Sequence, residues 1–149
     1  MKKIIAYILV VSLTCSFTTF NTFAEKRDST TETVEELKRI SESINLNMRT
    51  LISGDYNKES LIKNLKFITT QLNSIVKNVQ ISGQEDSENL LKKREYSTIL
   101  AIISLYLLAI NGMMIFLEDQ NDYEFLLDSA AEIQTADMFL EKISSSIKN

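Results

Sequence analysis

Apolar side chains recur every three or four residues along most of the chain after residue 33, and this spacing places them on one face of an α-helix. The pattern predicts four helices, at about 33–53, at about 58–82, from near Asp86 to about residue 117, and from after Asn121 toward the C-terminus. The apolar stripes of the first, second and fourth helices are Val34, Leu37, Ile40, Ile44, Met48 and Leu51; Leu61, Leu65, Ile68, Leu72, Ile75 and Val79; and Tyr123, Leu126, Ala130, Ile133, Ala136, Leu140, Ile143 and Ile147.

Capping residues mark the predicted ends of these helices. Thr33 and Glu36 have the spacing of a capping box, in which each side chain bonds a free backbone amide of the first turn. Asn57 is placed to cap the second helix in the same way. Gly54 and Gly83 follow serines at the ends of the first two helices, where glycine adopts the left-handed conformation at little cost.

Four amphipathic segments joined by short connections predict an all-α protein, an antiparallel (up-down) four-helix bundle. The chain has no proline and three glycines, so little interrupts the helices. We expect one bundle domain over 33–149, preceded by a polar and disordered segment at 25–32.

The N-terminus has the pattern of a bacterial export signal. Lys2 and Lys3 precede an apolar run from Ile4 to Cys15, and Ala24 completes a tripeptide with small residues at both positions that signal peptidase reads. We expect residues 1–24 to be a cleaved signal peptide and the product to be periplasmic or extracellular. An uncleaved membrane anchor is the alternative, but the apolar run is short for a spanning helix.

The third helix is unusual because it carries no charged residue from Tyr96 to Leu117. A run of this length is long enough to cross a bilayer. In an exported chain, however, the basic residues before the run would lie outside and the acidic residues after it would lie inside, which inverts the positive-inside rule. We therefore favour a buried helix over a membrane span.

A polar stripe on this helix supports the same interpretation. Ser97, Ser104 and Asn111 are seven residues apart, and Glu118 continues the series, so all four lie along one edge of the helix. A helix that is apolar except along one edge is typical of the centre of a bundle. Gly112 next to Asn111 further weakens the run as a continuous span.

Composition excludes several kinds of chemistry. The chain has no histidine and one cysteine, so Ser-His-Asp and Cys-His catalysis, imidazole metal sites and cysteine-based zinc sites are absent from it. Carboxylates remain, but the six that we considered lie in polar stretches typical of solvated helix faces: Glu35, Glu36, Glu42, Glu88, Glu132 and Glu141. We predict no catalytic, cofactor or metal site.

The acidic cluster at 118–124 does not match an EF-hand, because it lacks the central glycine and has Ala130 at the bidentate position. It is better explained as helix capping and dipole compensation at the start of the fourth helix. A formal net charge of −4 argues against binding to nucleic acid, which requires clustered basic residues.

Export without catalytic residue types favours a role in protein–protein binding, as an inhibitor, an immunity factor or an accessory subunit of an envelope system. We expect the third helix to have more apolar surface than the three other helices can cover. The excess would contact a partner protein or a second copy of the chain. The candidate contact residues are Tyr106, Met113, Met114 and Phe116. Taken singly, each of them fits an ordinary core position better, because of its helical spacing within the apolar run. The alternatives are an envelope membrane protein that spans the bilayer with Tyr96–Leu117, and a carrier of an apolar ligand.

Overall fold

Four α-helices account for most of the residues that the computed structural model describes, which are 29–86, 88–119 and 122–147. They are α1 (Ser29–Ser53), α2 (Lys58–Glu85), α3 (Leu90–Glu118) and α4 (Tyr123–Ile147). No strand occurs in these ranges, and the helices pack on one another as in a helical bundle. The predicted signal peptide at 1–24, residues 25–28 of the segment predicted to be disordered, and Asn121, which precedes the predicted start of the fourth helix, lie outside the described residues.

Two of the predicted caps are confirmed. Asn57 caps α2, because its side-chain oxygen accepts a hydrogen bond of 2.9 Å from the backbone N–H of Ser60. Gly54 follows α1 in the left-handed conformation, with φ of 72°. The backbone N–H of Gly54 donates to the carbonyl of Leu51, so the left-handed residue also closes the last turn.

Three predicted boundaries are wrong. Helix α1 begins at Ser29, so Thr33 and Glu36 lie inside it and residues 29–32 are helical instead of disordered. Helix α2 continues through Gly83, which packs against the Tyr96 ring, and ends where the N–H of Asp86 bonds the carbonyl of Ser82.

The third wrong boundary is the start of α3, which we predicted near Asp86. The helix begins at Leu90 because Asn89 supplies its cap. The side-chain oxygen of Asn89 accepts from the backbone N–H groups of Leu91 and Lys92, at 3.1 and 3.2 Å. These bonds satisfy two of the amides that the first turn of a helix leaves without partners.

The hydrophobic core is formed by the stripes that the periodicity predicts. Every residue of the predicted stripes of α1 and α2 is buried. In α4 the prediction holds for the middle of the helix, where Ile133, Ala136, Leu140 and Ile143 are buried. It is wrong for Tyr123, which is 63% exposed, although its ring packs against that of Phe116.

Helix α3 is the most buried of the four. Eleven of its residues are buried, and they face α1, α2 and α4. The predicted polar edge is confirmed, since Ser97, Ser104, Asn111 and Glu118 are all exposed. Among the described helices α3 is the one with the length and composition to cross a membrane, and half of the qualifying segment is buried against other parts of the protein.

Helix α3 passes through Gly112 without a break. Packing against α4 explains why this position holds glycine. A Cβ atom at Gly112 would lie 2.9 Å from the carbonyl oxygen of Phe125 and would also meet the Ser129 hydroxyl. The backbones of α3 and α4 therefore approach more closely at this point than a side chain would allow. The helix cost of glycine is offset by this close contact.

Candidate functional site

The structure places three of the four candidate contact residues in the core. Tyr106 and Met113 have no exposed surface, and Phe116 is 6% exposed. Met114 is partly exposed and packs against the core cluster. Side chains in these positions contribute to the core of the bundle. Their predicted contact with a partner stays a prediction.

Tyr106 belongs to a polar cluster that joins three helices. Its hydroxyl donates to Asp137 Oδ1 at 2.5 Å, linking α3 to α4. Ser41 of α1 donates to the same oxygen at 2.6 Å, and the Asn45 amide donates to Asp137 Oδ2 at 2.9 Å. We call these four residues the Asp137 cluster.

The partly buried carboxylate of Asp137 is thus surrounded by neutral donors. Hydrogen bonds to a charged acceptor are stronger than those between neutral groups. Among the described residues its hydrogen-bond partners are two hydroxyls and an amide, and none of them is a basic side chain. The cluster aligns α1, α3 and α4 at one level of the bundle, because each donor comes from a fixed position on its helix.

Burial and the neighbouring carboxylate change the acidity of Tyr106. Desolvation raises the pKa of the phenol well above its usual range, and the hydrogen bond to Asp137 and the charge of Asp137 raise it further. The nearby Ser41 hydroxyl acts in the opposite direction and lowers the pKa of the phenol. The phenol is therefore held in its neutral, donating form, which suits a structural hydrogen bond and is the reverse of an activated nucleophile.

Hydrophobic periodicity does not predict this cluster. It identifies Ala136 as an inner residue and gives its neighbour Asp137 no role. One signal was available: a tyrosine hydroxyl inside a long apolar run needs a buried partner. The sequence alone could not identify that partner, because the contact depends on which helices are adjacent and on their relative rotation.

A shallow groove of about 340 Å³ runs between α1 and α4 and reaches the Asp137 cluster. Ser41 and Asp137 lie in its lining, and Lys38, Glu42 and Glu141 contribute charged groups. Lys38 pairs with Glu35 on the same helix at 2.9 Å. The Ser41 hydroxyl donates to Asp137, and the groove presents mixed polar and charged groups to solvent.

A second groove, between α1 and α2, is also polar. Glu32, Glu35, Glu36 and Arg39 contribute to its lining. Within the described residues no group of three or more His, Cys, Asp or Glu side chains is placed to hold a metal ion. The groove therefore resembles the solvated faces that the sequence predicts for these carboxylates.

Glu132 departs from that picture of solvated carboxylates. Its side chain is partly exposed on α4, and desolvation together with the nearby charge of Asp128 raises its pKa. The two acids are four residues apart on one helix, which brings like charges together.

Several apolar residues on one side of α4 are exposed. Leu127 is 71% exposed and Met138 is 58% exposed, and Ala131 between them is also exposed. These positions are four and seven residues apart, so they lie on one side of the helix, opposite the buried residues Ile133, Ala136 and Leu140. We call Leu127, Ala131 and Met138 the α4 face.

The chain matches no known family model, and searches of curated proteins and of solved structures find no match either.

Proposed function

We propose that this chain is an exported bacterial helical-bundle protein that acts by binding another protein, as an inhibitor, an immunity factor or an accessory subunit. The proposal assigns it no catalytic activity and no cofactor. The observation that carries it is the α4 face, where Leu127 and Met138 leave most of their apolar surface in water. Exposed apolar surface of this kind favours binding, because a partner that covers it removes it from water.

The chemistry of the α4 face supports a protein as the partner. Methionine adapts its flexible side chain to the shape of an opposing surface. Leu127, Ala131 and Met138 extend about 16 Å along one side of the helix, with the exposed Gln134 between the last two. A helix side of this kind can lie in a groove on a partner. Glu124 and Lys142 lie beyond the two ends of the α4 face and are exposed, as charged residues at the rim of an interface are.

The antiparallel order of the helices is part of the proposal. For α1 and α4 it is supported by Ser41 and Asn45 bonding Asp137, while Lys38 shares a groove with Ser144. Residues early in α1 thus lie beside residues late in α4, as in an antiparallel pair of helices.

The pairing of α3 with α4 supports the same order. Tyr106 bonds Asp137, and Gly112 approaches Phe125 and Ser129, so the chain directions of these two helices are opposed. For α1 and α2, Glu32 shares a groove with Ser82, and Ile40 shares one with Gln71.

Export is supported by the N-terminal sequence, with processing after Ala24. Processing would remove the single cysteine, Cys15. A product without thiols suits an oxidising compartment.

Capture with a matched pair of variants tests the proposed binding surface. The chain and its double variant Leu127→Lys, Met138→Lys serve as baits in envelope and culture-fluid extracts of the producing bacterium. The control bait is Leu46→Lys, Ile52→Lys, which changes two equally exposed residues of α1. The proposal predicts a partner that the wild type and the control retain and the α4 variant loses. Equal retention by all three baits, or no retained protein at all, contradicts it.

The second candidate function is an envelope membrane protein with α3 as its span. The observation that favours it is the length and composition of α3. Its exposed edge opposes it, because Asn111 would place an amide in hydrocarbon, where unpaired polar groups are costly. Extraction of membranes with alkaline carbonate separates the two candidates: a spanning chain stays in the pellet, and a bundle held by protein contacts is released. No contact or cavity among the described residues favours the apolar-ligand carrier.

A further inference from the structure

The exposed edge of α3 lacks charged residues over its whole central length. Ser97, Ala101, Ser104, Leu108 and Asn111 are all exposed, and Leu108 leaves 55% of its surface in water. The exposed faces of the other three helices carry charged residues along their length, such as Arg39, Lys63 and Asp128. Depletion of charge is what distinguishes the centre of a protein interface from ordinary surface.

Charge returns at both ends of this edge, with opposite signs. Lys93 and Arg94 are exposed at the N-terminal end of α3, and Glu118 and Asp119 are exposed at its C-terminal end. Lys93 and Glu118 are twenty-five residues apart in the sequence. In a helix they are about 37 Å apart, too far to interact within one copy.

We infer that two copies of this chain pair along the exposed edge of α3, with the two α3 helices antiparallel. In that arrangement Lys93 of each copy lies opposite Glu118 of the other, and the same pair occurs twice about a two-fold axis. The axis passes close to Ser104 and Leu108, so the exposed leucine of one copy packs near its counterpart. A parallel arrangement would place like charges together at both ends, which disfavours it.

The polar residues of the edge favour a second copy over lipid. The Asn111 amide and the hydroxyls of Ser97 and Ser104 would find no partners beyond their own helix in hydrocarbon. Small side chains at Ala101 and Ser104 also let two helix backbones approach closely, as glycine does at the contact of α3 with α4.

The size of the edge sets the expected strength of the dimer. A strip about 37 Å long and about 12 Å wide covers roughly 450 Å² of each copy, less than the roughly 800 Å² per partner of a standard stable interface. The pair should therefore be a reversible dimer that dissociates on dilution. This inference does not use the α4 face, so it can fail while the proposed binding of another protein stands.

Sedimentation equilibrium on the purified chain tests the pairing. The chain is taken as the producing cell processes it, and no detergent is present. Lys93→Glu and Glu118→Lys should each raise the dissociation constant of the dimer about tenfold, because two opposite-charge pairs become two like-charge pairs. The combined variant should restore wild-type association. Restoration can come only from contact between copies, since the two residues are too far apart to meet within one.

Matched controls separate this effect from a general change of charge or fold. Lys63→Glu makes the same charge change on the exposed side of α2 and should leave the dimer unaffected. Leu108→Asp should abolish the dimer, and Leu46→Asp, at an equally exposed leucine of α1, should preserve it. Circular dichroism should be unchanged for all of these variants.

Three results would overturn the inference: a monomer at every concentration, a dimer whose dissociation constant the α3 variants do not change, or a combined charge variant as weak as its parents. A chain that stays dispersed only in detergent would also overturn it, in favour of lipid on the same edge.

Discussion

At the scale of single residues, the bundle depends on a few polar contacts that hydrophobic periodicity does not reveal. The pattern of apolar residues predicts Leu37, Ile68 and Leu72 as core positions, and all three are fully or almost fully buried. It does not predict that Asp137 would accept hydrogen bonds from α1 and α3. Core positions follow from periodicity along one helix, whereas polar pairs depend on how different helices meet.

Replacement of Tyr106 by phenylalanine tests the contribution of the Asp137 cluster. The variant keeps the buried ring and removes the donor at 2.5 Å from Asp137. We expect it to lower the free energy of unfolding by about 1–3 kcal/mol, because a partly buried carboxylate loses a hydrogen-bond donor. Tyr123→Phe is the control and should change stability little, since that tyrosine is largely exposed. Urea unfolding curves measure both; equal curves would show that the Tyr106 hydroxyl contributes nothing.

The wild type and Tyr106→Phe should differ in their response to alkaline pH. The pKa of Tyr106 is raised in the folded state, so its contribution to stability is complete below about pH 10, the pKa of an unperturbed tyrosine, and is lost as the pH rises further. The stability difference between the wild type and Tyr106→Phe should therefore shrink above about pH 10. A difference that stays constant or grows in this range would contradict the assigned environment of the phenol.

At the scale of helices, the sequence identifies the elements better than their ends. Four helices are predicted and four are found among the described residues. The errors at Thr33 and Gly83 have one cause: capping motifs and glycines also occur inside helices. Gly83 remains helical and packs against the Tyr96 ring, so it does not terminate α2.

Two glycine-to-alanine variants test the distinction between a glycine required by packing and one that is merely tolerated. Gly112→Ala should lower the free energy of unfolding by about 1–3 kcal/mol, because the added carbon would lie 2.9 Å from the Phe125 carbonyl oxygen and force α3 and α4 apart.

Gly83→Ala is the matched control for this prediction. Its added carbon would lie 3.4 Å from the Tyr96 ring, an ordinary contact, and alanine favours helix by up to about 1 kcal/mol over glycine. Stability should be equal to or above that of the wild type. Thermal unfolding of the two variants side by side gives the comparison, and a stabilised Gly112→Ala would show that the close contact of α3 with α4 is not required.

At the scale of the whole molecule, the four helices share the burial unequally. Helix α3 faces the other three and keeps one narrow edge exposed, whereas α4 combines a buried stripe with an exposed apolar face. The sequence predicts the dominance of α3 from its charge-free run. It does not predict the α4 face, because periodicity identifies only the inner stripe of α4 and gives no role to apolar residues outside that stripe.

This arrangement also places three of the four candidate contact residues, Tyr106, Met113 and Phe116, in the core, while Met114 is partly exposed. A charge-free helix offers apolar residues in every direction, and the side that faces its neighbours depends on the packing of the whole bundle. The α4 face and the exposed edge of α3 are the surfaces through which the proposed contacts would form.

The central claim is that protein covers α3, from its own bundle and from a second copy, and that lipid does not. The most direct measurement is high-speed centrifugation of the chain that begins at Glu25 in detergent-free buffer, followed by circular dichroism of the supernatant. We predict that the chain remains in the supernatant, is strongly helical and unfolds in a single cooperative transition. Recovery of the folded chain only in the presence of detergent or lipid would contradict the claim.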